Sequence, residues 1–460
     1  MTSRFDKLFH PDLTRDNILK TMLAFGIPLI ISFIFLQFYN TVDIIVVGHF
    51  LGEDSLAAIS ACAAVNDLLI GFGNGFGNGL GIVAARAYGA GKEDRLKKIV
   101  VASFFITIGV TLFIMLIGHF FLYKILTLLG TPASIIDEAY SYIWIMAIFS
   151  GVLFAYHLLS GLLRAIGNSI MPLVFLISSS VLNIFLDILL IVVFHQGVRG
   201  TAIATVIAQG ISAILCFIYI MAKCRILIPN KKSLQIDPPI YKDLISQGLS
   251  MALMSSLVNS GTVILQKAIN SFGTFILAGH ISARKIFIFT NIPLFTFGMI
   301  ASTFVSQNYG AQKFDRIKKG VRSLYLLSTV WGIICTIIIP IFSKSLISLI
   351  SGSNTTEVIN YGSKYISFAM PFYPVLGILL VTRNALQGLG SKILPLISSI
   401  IELLGKVLFT TLIIPKAGSW GIILCEPLIW VVMAIQLLIV FLRHPLLQSS
   451  SQHHPDHKNQ

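Results

Sequence analysis

Long apolar runs recur along the chain, separated by short polar stretches that carry most of the charge. A helix needs about 20 mostly apolar residues to cross a bilayer. Lipid admits only helices and closed barrels, because every backbone polar group must be satisfied internally. By that length the pattern predicts spans at 19–47, 55–83, 99–121, 136–162, 170–194 and 200–222. A second set follows at 243–269, 274–304, 323–343, 358–382, 393–415 and 418–442. The expected fold is all-α and integral to the membrane, with about twelve transmembrane helices. The expected organisation is an N-terminal segment 1–18, a first lobe 19–222, a polar linker 223–242, a second lobe 243–442 and a tail 443–460. The first apolar run is longer than the core of a signal peptide, so no cleavable leader is expected.

The two sets of spans are repeats. Tyr88-Gly-Ala-Gly-Lys-Glu-Asp-Arg-Leu-Lys-Lys98 matches Tyr309-Gly-Ala-Gln-Lys-Phe-Asp-Arg-Ile-Lys-Lys319 at an offset of 221. The runs Gly167–Leu173 and Gly390–Leu396 match, as do Gly197–Gly200 and Gly418–Gly421, and Gly26 aligns with Gly248. Each repeat has an even number of spans, so both enter the membrane in the same orientation. Substrate sites in such folds lie between the repeats.

Charge fixes the expected orientation. The chain has 33 Lys and Arg against 19 Asp and Glu, a net +14. With the N-terminus inside, the inward segments hold 24 basic residues and the outward ones only Lys124, Arg199, Lys344 and Lys416. The remaining five lie in or at the ends of spans. Loops rich in Lys and Arg stay in the cytoplasm. Both termini are therefore expected to be cytoplasmic, and the positive charge marks a membrane face rather than a nucleic-acid site. Hydrophobic residues make up 55% of the chain and charged ones 11%, where a soluble domain carries roughly 25% charged. The five cysteines form no CxxC or zinc spacing and read as reduced and buried.

Five acids fall within predicted spans: Asp43, Asp67, Asp187, Glu402 and Glu426. An acid at the bilayer centre costs roughly 2.5–3.5 kcal/mol on insertion scales, so each needs an account. Asp43 lies late in the first span and Asp187 late in the fifth, both running outward. Thr205 lies early in the sixth, which starts outside. At a rise of ~1.5 Å per residue all three share the outer half of the membrane. Asn183 precedes Asp187 by four residues and shares its helix face. Together they make an all-oxygen set able to hold protons or Na⁺. The competing reading for each acid alone is a solvated group at a helix end. Asp67, mid-span and without an evident partner, is a cavity candidate. Glu402 and Lys406 stand i,i+4 on one helix and, with Glu426, are expected to form structural ion pairs. Pro28 interrupts the first span beside Gly26 and is a candidate hinge. Glycines alternate from Gly71 to Gly81 in the second span, which points to close helix packing or a flexible segment. No Gly-Lys-Ser/Thr follows, so no ATP-binding loop is expected.

The chain resembles the multidrug and toxic compound extrusion family over about residues 15–443. The carriers are Tyr39-Asn-Thr-Val-Asp43 with Gly48–Gly52, the paired Tyr-Gly-Ala loops, Leu163–Gly167, Ser180–Asn183 with Asp187, and Gly200–Thr205. The resemblance implies two six-helix lobes around a central cavity. It implies a DinF-like branch, whose coupling residues match Asp43, Asn183, Asp187 and Thr205 here, with Tyr39 and Pro28 nearby. The positions that match the NorM-like branch's acids are Val258 and Leu376, so a coupling site of that kind is not expected in the second lobe.

The expected function is proton- or Na⁺-coupled antiport that exports organic, amphipathic cationic compounds by alternating access. No cofactor beyond the coupling ion, no structural metal and no catalytic residues are expected. A monomer in the cell inner (plasma) membrane is expected. A flippase for lipid-linked saccharides is the first rival, and an integral-membrane enzyme the second.

Overall fold

A computed structural model describes residues 12–448. Arg4, Lys7, Lys458, the histidines at 453, 454 and 457, and both chain ends lie outside the described residues. Among the described residues the secondary structure is helical throughout. In chain order the long elements are α1 (Ile18–Phe50), α2 (Glu53–Gly89), α3 (Glu93–Leu128), α4 (Ile136–Ile148), α5 (Ser150–Ala165), α6 (Ile170–Ile188) and α7 (Val198–Lys223). Then come α8 (Pro238–Asn270), α9 (Thr274–Gly310), α10 (Phe314–Ser351), α11 (Thr356–Ala369), α12 (Tyr373–Gly388), α13 (Ile393–Leu408), α14 (Ile414–Ala417) and α15 (Ser419–Leu442).

Among the described residues eleven helical runs are long and apolar enough to cross a membrane, and α4 with α5, bent by 46°, makes a twelfth. The protein is a multi-pass membrane protein. Several helices run past the apolar windows. α3 begins at Glu93 rather than 99 and α10 at Phe314 rather than 323. Acids in the first turn, Glu93 and Asp94 in α3 and Asp315 in α10, explain this, since negative charge suits the free N–H groups of a helix start. Between α11 and α12, at the matching place in the second repeat, residues 370–372 tighten to a 3-10 turn within one continuous span.

The chain forms two compact units, but their boundaries are not those of the polar linker. The first unit includes Ala24–Asn259; the second joins Asp12–Leu23 to the segment that starts at Ser260. The starts of α1 and α8 are exchanged, and hydrogen bonds show why. In the second unit Leu13 is fully buried, and its carbonyl accepts from Asn308 Nδ2 and Arg316 Nε, both at 3.1 Å. Lys313 Nζ donates to the Thr14 carbonyl at 3.0 Å. In the first unit Arg86 pairs with Asp243 at 3.3 Å and Lys98 with Asp237 at 3.5 Å. The residues that begin the repeat loops therefore also anchor the helix starts.

In the first unit α2 packs on α5, and α6 and α5 pack on α7. Phe76, Leu80, Leu158, Leu162, Cys216 and Leu244 fill the centre. The alternating glycines prove to be two interleaved ridges. Gly75 and Gly79 approach α8 so closely that a Cβ would lie 2.5 Å from the Met251 carbonyl oxygen and 2.7 Å from that of Gln247. Gly77 faces α5, where a Cβ would lie 2.7 Å from the His157 carbonyl oxygen. Close packing, rather than flexibility, is their role here. In the second unit α9 packs on α10, α11 and α12 around Phe304, Tyr365 and Tyr373. All five cysteines are free and buried.

Candidate functional site

The acids of the first unit converge. Asp43 on α1 stands beside Asp187 on α6 and beside Tyr39, one turn earlier on α1. The Tyr39 hydroxyl is 3.2 Å from Thr205 Oγ1 on α7, and Asn183 Nδ2 on α6 donates to the same oxygen at 3.5 Å. Asp187 is fully buried, Asn183 is buried to 1% and Thr205 to 7% exposure.

The helices place these groups by simple periodicity. Tyr39 and Asp43 stand four apart on α1, and Asn183 and Asp187 four apart on α6, so each pair shares a face. Past Asp187 the helix widens into a π-turn at Leu189–Val193. Such turns often mark functional sites in helices.

Several acceptor oxygens of the cluster go unmet. Both oxygens of Asp187, Asp43 Oδ1 and Asn183 Oδ1 are buried without a hydrogen-bond partner. Burying a polar atom unpaired is costly, and a buried charge costs more. Two carboxyls in contact need a proton or a cation between them, because like charges so close oppose joint ionisation. The oxygen set suits either, since hard cations take oxygen ligands.

Pro28 is buried within α1 and cannot donate to the Ala24 carbonyl. The next carbonyl, Phe25 O, accepts from Ser169 Oγ at 2.8 Å, at the residue that caps α6. The proline turn of α1 is thus tied to the helix that carries Asp187.

Asp67 does not join the cluster; it is exposed on α2, and its carbonyl accepts from Asn259 Nδ2 at 2.8 Å. Tyr142 on α4, which sequence reasoning passed over, is buried within electrostatic reach of Asp43 and Asp187. Its signal was present: Tyr142 aligns with Tyr365 at the 223-residue offset of the Gly167 and Gly390 runs.

The second unit has an ion-pair chain instead. Lys406 Nζ donates to Glu402 Oε1 at 3.1 Å, lies 3.6 Å from Glu426 Oε1 and donates to Thr262 Oγ1 at 3.2 Å. Arg284 pairs with Glu426 Oε2 at 2.7 Å, and the Tyr365 hydroxyl donates to the same oxygen at 3.0 Å. Arg383 lies 3.8 Å from Glu402 Oε2. The spacing on α13 anticipates the Glu402–Lys406 pair but not the arginines. Arg383, counted from sequence among the cytoplasmic residues, is instead buried within α12 at 6% exposure.

Fold and site together define the class: a polytopic, all-α membrane protein of two repeats, with a buried acidic pair in the first. The MatE family model matches residues 28–189 and 250–412, one copy per repeat. The chain belongs to that family, the multidrug and toxic compound extrusion family that its motifs resemble. It is similar to the probable multidrug resistance protein YoeA of Bacillus subtilis (strain 168), 27% identical over 399 residues, covering 85% of this chain and 86% of that one. It is also similar to the multidrug export protein MepA of Staphylococcus saprophyticus, 24% identical over 439 residues, covering 94% and 96%. Among solved structures it shares the fold of MATE in the bent conformation, with TM-score 0.87 and 20% identity over 95% of this chain and 98% of that one. A MOP superfamily transporter from Pyrococcus furiosus gives TM-score 0.86 and 20% identity, covering 97% and 99%.

Proposed function

We propose that this protein is a secondary exporter of the DinF-like branch, moving organic compounds, above all amphipathic cations, outward in exchange for protons or Na⁺. It works as a monomer in the cell inner membrane, with both termini cytoplasmic, and carries out no covalent chemistry. Names of relatives that refer to multidrug resistance and export support the substrate class. The observation that carries the reading is the buried set of Asp43, Asn183 and Asp187 oxygens without donors.

In this reading an arriving ion neutralises the Asp43–Asp187 pair, and Asn183 and Thr205 orient it. The pair takes up its proton or Na⁺ as a unit rather than as two independent acids. Loading removes negative charge from the face that α1 presents to α6, and α1 rearranges about Pro28. A ligand moves the inward–outward equilibrium only by its differential affinity for the two states. The ion must therefore bind one state more tightly, and the substrate the other.

The test uses substrate-loaded proteoliposomes under separately imposed proton and Na⁺ gradients. Substrate movement that requires one of these gradients, and is abolished when that gradient is collapsed, is expected. Equal movement with no ion gradient would refute coupled antiport.

A further inference from the structure

The second repeat carries a cluster on the helices that correspond to those of the first repeat's site. α1 corresponds to α8, α6 to α13 and α7 to α15. Gly26 aligns with Gly248, an offset of 222 that places Thr262 opposite Asn40 and Gly261 opposite Tyr39. The Gly167 and Gly390 runs set 223, which places Lys406 opposite Asn183. The Gly197 and Gly418 runs set 221, which places Glu426 opposite Thr205. The same three helices contribute in both repeats: α13 and α15 carry a polar group at the matching place, while on α8 Gly261 and Leu265 stand opposite Tyr39 and Asp43, and Thr262 supplies its oxygen one position along. Tyr365, which donates to Glu426, stands opposite Tyr142.

The chemistry of the two places differs. In the first unit buried acceptor oxygens lack a donor. In the second, three oxygens surround Lys406 Nζ: Glu402 Oε1, Glu426 Oε1 and Thr262 Oγ1, at 3.1, 3.6 and 3.2 Å. The outer oxygens, Oε2 of each glutamate, face Arg383 and Arg284, so the ammonium is the cation that holds the inner pair. Lys406 is 2% exposed. The stem has room because Gly261 stands where the first repeat has Tyr39; a Cβ on Gly261 would lie 2.9 Å from Lys406 Cδ.

We propose that the pocket of Glu402, Glu426 and Thr262 is a second monovalent-cation site, the repeat-related counterpart of the first, whose resident cation is the Lys406 ammonium. The first repeat exchanges an ion, and the second holds one covalently. The inference rests on reading the Asp43–Asp187 cluster as a cation site, and its test is built to be independent of that reading.

The test uses the full chain with Asp43→Asn and Asp187→Asn, which removes both carboxylates of the first unit, and adds Lys406→Ala, which empties the space of the lysine stem. Thermal unfolding of the purified protein is compared in NaCl, ethylammonium chloride and choline chloride at one ionic strength. The parent, with Lys406 present, is expected to unfold at one temperature in all three salts. The Lys406→Ala protein is expected to unfold several degrees higher in ethylammonium or Na⁺ than in choline, which is too bulky for the pocket. If Lys406→Ala is too unstable to purify in choline, purification in ethylammonium chloride is expected to recover it. The same unfolding temperature in all three salts, or a protein that neither small cation recovers, would overturn the proposal. So would a parent that already responds to Na⁺. Failure of the first-unit reading would appear separately, in gradient-driven transport by the unmodified protein.

Discussion

Replacing Glu426 with glutamine removes the acid that Arg284 and Lys406 share. Glu426 accepts from Arg284 at 2.7 Å and from Tyr365 at 3.0 Å, and lies 3.6 Å from Lys406. With both glutamates ionised, three cations face two acids; the variant leaves three facing one. Removing one partner of a buried ion pair costs about 3–5 kcal/mol, chiefly because the other charge is stranded. Glu426 is only 6% exposed, so solvent screens the pair little. Arg284 and Lys406 then both lose that carboxylate within membrane spans, which places the expected loss in that range, about 3–5 kcal/mol. The assay is unfolding of purified Glu426→Gln, Arg284→Gln and the double variant, completing a cycle. The double variant should lose less than the sum of the singles by at least ~1 kcal/mol, since it strands one charge fewer. Additive losses, or a Glu426→Gln protein within ~0.5 kcal/mol of the parent, would show that the pair contributes nothing.

Glu402→Gln should lower stability while leaving the preference for protons or Na⁺ unchanged; a well-folded variant with altered ion preference in transport would move the coupling site to the second unit. Gly75→Leu should sharply reduce folded yield, measured by size-exclusion chromatography, because its side chain would enter the Met251 backbone, whereas Gly109→Leu should be tolerated, since nothing lies within 4 Å of a Cβ there. In intact cells an impermeant thiol reagent should label cysteines introduced at Glu53 and Ser353 and spare those at Lys92 and Lys313; labelling at 92 would invert the topology.

The spans were legible because a bilayer imposes a length and a composition on each helix. Their ends were less so, since α3 and α10 continue into charged turns that an apolar window excludes. The unit boundaries were hidden because they fall inside continuous helices, at Leu23/Ala24 in α1 and Asn259/Ser260 in α8, where composition does not change. Within the candidate site, Asn183 and Asp187 could be paired from their spacing, as could Glu402 and Lys406. The Arg284–Glu426 pair joins residues 142 apart, and no local pattern encodes such a contact. Tyr142 was missed because a tyrosine in an apolar helix looks like packing until the repeat sets it opposite Tyr365.

The central claim is that Asp43 and Asp187 together hold the coupling ion. It is tested most directly by export from proteoliposomes containing the Asp43→Asn, Asp187→Asn double variant, matched to the unmodified protein in amount and in folded state. Under the gradient that drives the parent, the variant should show no export above empty vesicles, while substrate binding persists, because the amides hold the site in a neutral form that neither loads nor releases an ion. Export at the parent's rate under that gradient would contradict the claim and remove the pair from the mechanism.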